Sequence, residues 1–509
     1  MVNVHALSSV TLIFLAGIAC AANTPRLTIG EVEYLGSQSD DGTVDSFLGV
    51  PFAAPPIEDL RWRAAQPYIA TAGQQHATSF APACYQGDHI TRWYQGVISG
   101  FGGDPVSIVA PEVSEDCLYL NIWRPSSVAQ TTPLPIIIYV HGGSNRGGWS
   151  WEPNYLGENL ARHQAVVISV AYRLGPFGFM AHPQLEQNNF GLTDLLMALN
   201  WVKWHSHQLG GDPDNVTLVG ESSGASNISY LTAMPRAAGL FKRVVHQSAG
   251  WALRESISRD DALALGSALE AATGSTSIDD LRKLPAQAID IAAKEVYAEA
   301  GFDPHIDGTL IPLSPLEAVI SKRANNVDLL IGSNADEWKM YLGADESSSK
   351  WLAQHVDSRR IDEVNSTLEG LDEISKLDRL VTSVNYTCPS LKFAKEMANS
   401  GSQTWVYFFS RRREGDKAAE MGAYHGAELP YVFNTHDEWL PTNYEDLALT
   451  QSMMRYWVNF ARGGNPNSED LIDWPAFNNN ADLNALRLDT QIEAIAHPDT
   501  SLCEALTAH

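Results

Sequence analysis

Val216-Thr217-Leu218-Val219-Gly220-Glu221-Ser222-Ser223-Gly224-Ala225 is the stretch whose reading decides the fold. Its first four residues form a short apolar, β-branched run of the kind that makes a buried strand. Gly220, Ser222 and Gly224 then spell G-x-S-x-G, and a helix-compatible run follows. In a strand-turn-helix context the glycines permit a tight, strained turn that lifts the Ser222 hydroxyl clear of a sheet. An ordinary Gly/Ser turn is the plainer alternative. The position directly after a buried strand favours a nucleophile.

Outward from this point the same alternation continues. Ile136 to Val140 and Ala165 to Ala171 read as buried strands, and Leu195, Leu196, Leu199 and Val202 recur at helical spacing before Gly210-Gly211. Val244-Val245, Leu329 to Ile331 and Trp405 to Phe409 read as further strands, with room for crossover helices between them. This order predicts a large α/β fold with a mostly parallel central sheet covered by helices on both faces. Ligands then bind at the carboxyl ends of the strands. His141-Gly142-Gly143 lies at such an end. Backbone N–H groups of Gly142 and Gly143, with that of Ser223, are the expected donors to an oxyanion.

At these residues the sequence resembles the type-B carboxylesterases, the cholinesterase-like branch of the α/β-hydrolases that also includes several lipases. Phe47-Leu48-Gly49-Val50-Pro51-Phe52-Ala53, Ser114-Glu115-Asp116-Cys117-Leu118-Tyr119-Leu120-Asn121-Ile122 and Gly210-Gly211-Asp212-Pro213-Asp214-Asn215-Val216-Thr217 match family blocks in order. The resemblance implies a Ser222, Glu337, His425 triad. Glu337 ends Gly332-Ser333-Asn334-Ala335-Asp336-Glu337, and His425 opens His425-Gly426-Ala427-Glu428. His425 takes the Ser222 proton while Glu337 holds its tautomer. Asp336 is the rival acid. His141, His246 and His305 are rival bases, each expected to be a satisfied structural histidine. Glu221, Ser248 and Glu428 are expected to support the triad from behind. The resemblance also implies Cys84–Cys117 and Cys388–Cys503 disulfides. A further family bridge is missing, since Trp251 to Phe302 contains no cysteine. Ser223 stands where the family usually has alanine. Trp251 and Trp338 are candidate pocket walls, whereas Trp93 is expected to be a surface or packing residue.

The 509-residue chain carries 34 Lys and Arg against 60 Asp and Glu, a net charge of −26. Such a surface repels nucleic acid and anionic lipid. Val10 to Ala19 followed by Cys20-Ala21-Ala22 reads as a secretory signal over residues 1–22, leaving one domain over 23–509 in a secreted or periplasmic protein. No later stretch is long enough for a transmembrane anchor. Sequons occur at Asn215, Asn227, Asn365 and Asn385. His205 and His207 read as solvated helix surface rather than a metal site. No phosphate loop, dinucleotide fingerprint or zinc spacing is present, so hydrolysis without a cofactor or metal is expected. The function that follows is serine carboxylesterase action on a small-molecule ester through an acyl-enzyme. The alternatives are a catalytically silent binding or adhesion protein, or a specialised lipase, cholinesterase or mycotoxin esterase.

Overall fold

The computed structural model describes residues 24–127, 132–254, 256–343, 345–478 and 484–507. The expected signal over 1–22 lies outside them. An eleven-stranded sheet organises the chain. Its strands are β1 (Ser37–Gln38), β2 (Val44–Pro51), β3 (Tyr119–Pro125), β4 (Leu134–Val140), β5 (Val166–Val170), β6 (Gly211–Glu221), β7 (Arg243–Gln247), β8 (Asp328–Asn334), β9 (Thr404–Phe409), β10 (Ala485–Leu488) and β11 (Glu493–Ile495). The spatial order is β11-β10-β9-β8-β7-β6-β4-β5-β3-β2-β1.

The central strands, from β5 through β4, β6, β7, β8 and β9 to β10, pair in parallel. Both edges turn antiparallel, β3, β2 and β1 on one side and β11 on the other. The parallel centre needs both faces covered, which is why continuous apolar runs such as Ile136 to Val140 and Leu329 to Ile331 lie within its strands. The alternation splits them between two cores. Ile136, Ile138, Leu218, Val244 and Leu329 face one core, and Ile137, Tyr139, Val219, Val245 and Leu330 face the other.

Two helices bracket β6. Phe190–Leu209 ends at Gly210, whose left-handed φ of 82° closes the helix before the strand begins. Ser223–Ala233 follows the strand and is buried along its whole length. A Cβ on Gly224 would collide with the carbonyl oxygens of Val140 and His141. Only glycine lets this helix start tight against the end of β4. Disulfides join Cys84 to Cys117 and Cys388 to Cys503, with Cα separations of 4.9 and 5.3 Å.

Candidate active site

Ser222 sits between β6 and its helix with φ 54° and ψ −129°, a backbone conformation that residues other than glycine rarely adopt. Strain of this kind persists where the surroundings over-determine it. Here the Ser222 N–H donates to the Gln247 carbonyl at 2.8 Å, and Gly142 packs so close that a Cβ on it would lie 3.0 Å from Ser222 Cβ.

Glu337 and His425 meet at the carboxyl edge of the sheet. His425 Nδ1 lies 2.6 Å from Glu337 Oε2. The other carboxylate oxygen, Oε1, accepts from Ser248 Oγ at 2.6 Å and from the Asn334 N–H at 2.7 Å. Glu337 is fully buried, so these hydrogen bonds stand in for bulk water around its carboxylate. Adjacent Asp336 points elsewhere: Arg412 grips it through Nη2 at 2.6 Å and Nε at 2.9 Å, and the Ala423 N–H donates to it.

Of the three residues expected to support the triad, Ser248 reaches Glu337 directly. Glu428 touches neither His425 nor Glu337 by hydrogen bond. It accepts from Gln247 Nε2 at 2.8 Å and from Asn334 Nδ2 at 2.6 Å, tying together the ends of β7 and β8. Glu221 occupies the most consequential place, with Oε1 3.2 Å from His425 Nε2. Among the described residues no hydrogen bond joins Ser222 Oγ to His425, so Nε2 faces Glu221 in this conformation. Burial would lower the His425 pKa, but Glu221, Glu337 and Glu428 outweigh it and raise it to about 9. Burial pushes the Glu221 carboxyl up to about 8 against the pull of His425.

The rival histidines lie apart from this cluster. His141 is buried and neutral, stacked on Tyr172 with ring centres 4.5 Å apart. His246 and His305 are fully buried, and no protein group among the described residues reaches their ring nitrogens by hydrogen bond. Burial accordingly lowers their pKa values to about 3 and about 4. His205 packs edge-on against Trp201 at 4.8 Å, and no cluster among the described residues could hold a metal.

A cavity of about 630 Å³ opens over Ser222, His425, Gly142, Gly143 and Ser223. Trp338 lines it, while the side chain of Trp251 lies outside the described residues. Trp93, packed edge-on against Tyr94 with ring centres 5.0 Å apart, lines it too. Helix His89–Gly100 carries Trp93, whose Nε1 donates to the Oη of Tyr341, another lining residue, at 2.7 Å.

Two more tyrosines were not marked by any sequence pattern. Tyr341 ends a short turn after Glu337, and Tyr386 is carried on a π-helical turn, Ser383–Thr387. That turn sets the Tyr386 ring 5.2 Å from the His425 ring and 6.2 Å from Trp338. Such π-turns concentrate at functional sites. Nothing local in the sequence encodes one here.

Residues 24–369 and 361–505 match the sequence profile described as the carboxylesterase family. The chain belongs to the carboxylesterase family. It is 29% identical over 480 residues to mouse carboxylesterase 1C, spanning 87% of this chain and 85% of that one. It is 28% identical over 482 residues to the para-nitrobenzyl esterase of Bacillus subtilis, spanning 90% and 94%. With the fumonisin B1 esterase of Sphingopyxis macrogoltabida it shares 29% over 494 residues, spanning 92% and 87%. A solved PNB esterase superposes with a TM-score of 0.82 at 26% identity, covering 96% of this chain and all of that one. The fold is thus the α/β-hydrolase fold, and the chain is a carboxylic ester hydrolase.

Proposed function

We propose that this carboxylesterase works through an acyl-enzyme formed on Ser222. His425 removes the hydroxyl proton as Ser222 Oγ attacks the ester carbonyl, then returns it to the departing alcohol. Water repeats the sequence to release the acid. Glu337 fixes the imidazole tautomer through Nδ1 and balances its charge. The N–H groups of Gly142, Gly143 and Ser223 receive the oxyanion.

One observation carries this reading. His425, held by Glu337 at 2.6 Å, and the strained Ser222 elbow line one cavity with the Gly142-Gly143 loop. His425 must swing from Glu221 toward Ser222 to serve as base, and catalytic hydrogen bonds commonly tighten only with substrate bound. In Ser222→Ala, turnover of p-nitrophenyl butyrate should fall by about 10⁴-fold or more. A rate within tenfold of the parent would overturn the assignment and favour a silent binding protein.

Trp93, Trp338, Tyr341 and Tyr386 give the cavity a bulky aromatic wall. This supports short or medium acyl groups over long ones. Butyrate esters should therefore react faster than dodecanoate esters, and Tyr386→Ala should narrow the gap. Faster dodecanoate hydrolysis by the parent would contradict the reading. Export to a secreted or periplasmic location is supported by the apolar Val10 to Ala19 run and by two disulfides, which persist in oxidising compartments. No helix among the described residues is long and apolar enough to cross a membrane. One sheet reaching from Ser37 to Ile495 supports a single domain over 23–509.

A further inference from the structure

Gly143, Ser144 and Asn145 follow one another with φ of 107°, 55° and 53°. Two of the three carry side chains in a conformation that disfavours them, so the loop needs external ties to hold its shape. The ties converge on Asn145, which is fully buried. Its N–H donates to Ser223 Oγ at 3.1 Å, its carbonyl accepts from the Gly175 N–H at 2.6 Å, and its Oδ1 accepts from Asn227 Nδ2 at 2.8 Å. The Tyr172 hydroxyl donates to the His141 carbonyl at 2.8 Å and closes the network behind Gly142.

Ser223 is therefore placed twice in the site. Its N–H is the oxyanion donor that follows the nucleophile. Its hydroxyl holds the loop that supplies the other donors, two residues away at Gly143. We propose that the Ser223 hydroxyl is a positioning group that staples the oxyanion loop to the nucleophile helix, keeping all three N–H groups convergent. This rests on the reading of Ser222 as nucleophile.

A staple of this kind acts on the transition state and leaves substrate binding alone. The buried Asn145 N–H loses its acceptor in Ser223→Ala, while the Ser223 N–H itself survives. Loss of a whole oxyanion donor costs about 10²- to 10³-fold in kcat. Displacing donors without deleting them should lower kcat by about 10- to 100-fold, with KM within threefold of the parent. Affinity for a trifluoromethyl ketone, whose tetrahedral adduct places an oxyanion in the hole, should fall by the same factor as kcat/KM. Ser223→Thr, which keeps the hydroxyl, should recover most of the loss.

Unchanged kcat and inhibitor affinity in folded Ser223→Ala overturn the staple, as does a raised KM at constant kcat. If the alanine variant does not fold, near-isosteric Ser223→Cys, with its weaker sulfur acceptor, takes the same two readings. Ser222→Ala run beside them separates the hypotheses. Activity surviving there overturns the nucleophile, whereas its loss alongside an unaffected Ser223→Ala overturns the staple alone.

Discussion

His425, the proposed base, has carboxylates near both ring nitrogens. Glu337 meets Nδ1 at 2.6 Å and Glu221 stands 3.2 Å from Nε2, inside a site that excludes most solvent. Glu337 favours the imidazolium, as does Glu221 once it loses the proton that burial holds on it up to about pH 8, and a protonated His425 cannot accept the Ser222 proton. The acid limb of kcat/KM against pH should therefore lie above the ordinary histidine value of 6.5, toward the about 9 to which His425 is raised. Removing the Glu221 charge removes a reason for His425 to stay protonated. Glu221→Gln should shift the limb to lower pH by about one unit or more. A limb that stays in place would show that Glu221 does not govern the base. At this scale the sequence named Ser222, Glu337 and His425 through motifs, but it could not say which neighbour their side chains face. Asp336 and Glu337 are adjacent acids, and only the opposite directions of their side chains send one to Arg412 and the other to His425.

The strands were the most legible elements. Runs such as Ile136 to Val140 are apolar at every position because helices cover both sheet faces, and that pattern requires no knowledge of the partner strands. The turns that build the pocket were not legible. Ser383–Thr387 adopts π geometry, and the carbonyl of Asn385 lies where a side chain on Gly250 would collide with it. Sequons show the same limit. Asn227 is fully buried and spends its amide on Asn145, whereas Asn365 is exposed. The disulfides differ in what they constrain. Cys84–Cys117 spans 33 residues and Cys388–Cys503 spans 115. Loop entropy assigns them about 4 and about 5 kcal/mol respectively. Replacing Cys388 and Cys503 together by alanine should thus lower the denaturant midpoint more than replacing Cys84 and Cys117. The reverse order would show that native-state strain, not loop length, sets their contributions.

Across the whole molecule, buried titratable groups oppose one another. His141, His246, His305, His436 and His497 are lowered by burial to about 4, 3, 4, 4 and 3. Each binds a proton more readily when unfolded, so stability falls as pH drops below 6.5. Glu152 and Asp378 are raised by burial to about 7, and Glu221 to about 8. Their folded forms hold protons that the unfolded chain releases above its ordinary carboxyl range, so stability falls as pH rises toward 7 and 8. His425, raised to about 9, adds a further loss above 6.5. The two sets balance near pH 6, where Tm should be highest, at about pH 6 to 6.5. Maximum activity should lie at higher pH. A Tm that rises steadily from pH 6 to 8 would contradict this balance.

Periodicity determined an α/β sheet with chemistry expected at its strand ends, the G-x-S-x-G elbow marked Ser222, and the family resemblance added Glu337 and His425 as its expected partners. Strand burial and the serine elbow are legible in this way because they are local, written in consecutive residues. Tertiary structure alone decided that Glu221 faces His425, that Trp93 and Tyr386 wall the cavity, and that the Ser223 hydroxyl reaches Asn145. Each of these joins residues far apart in the chain, whose meeting depends on packing rather than on any neighbouring sequence.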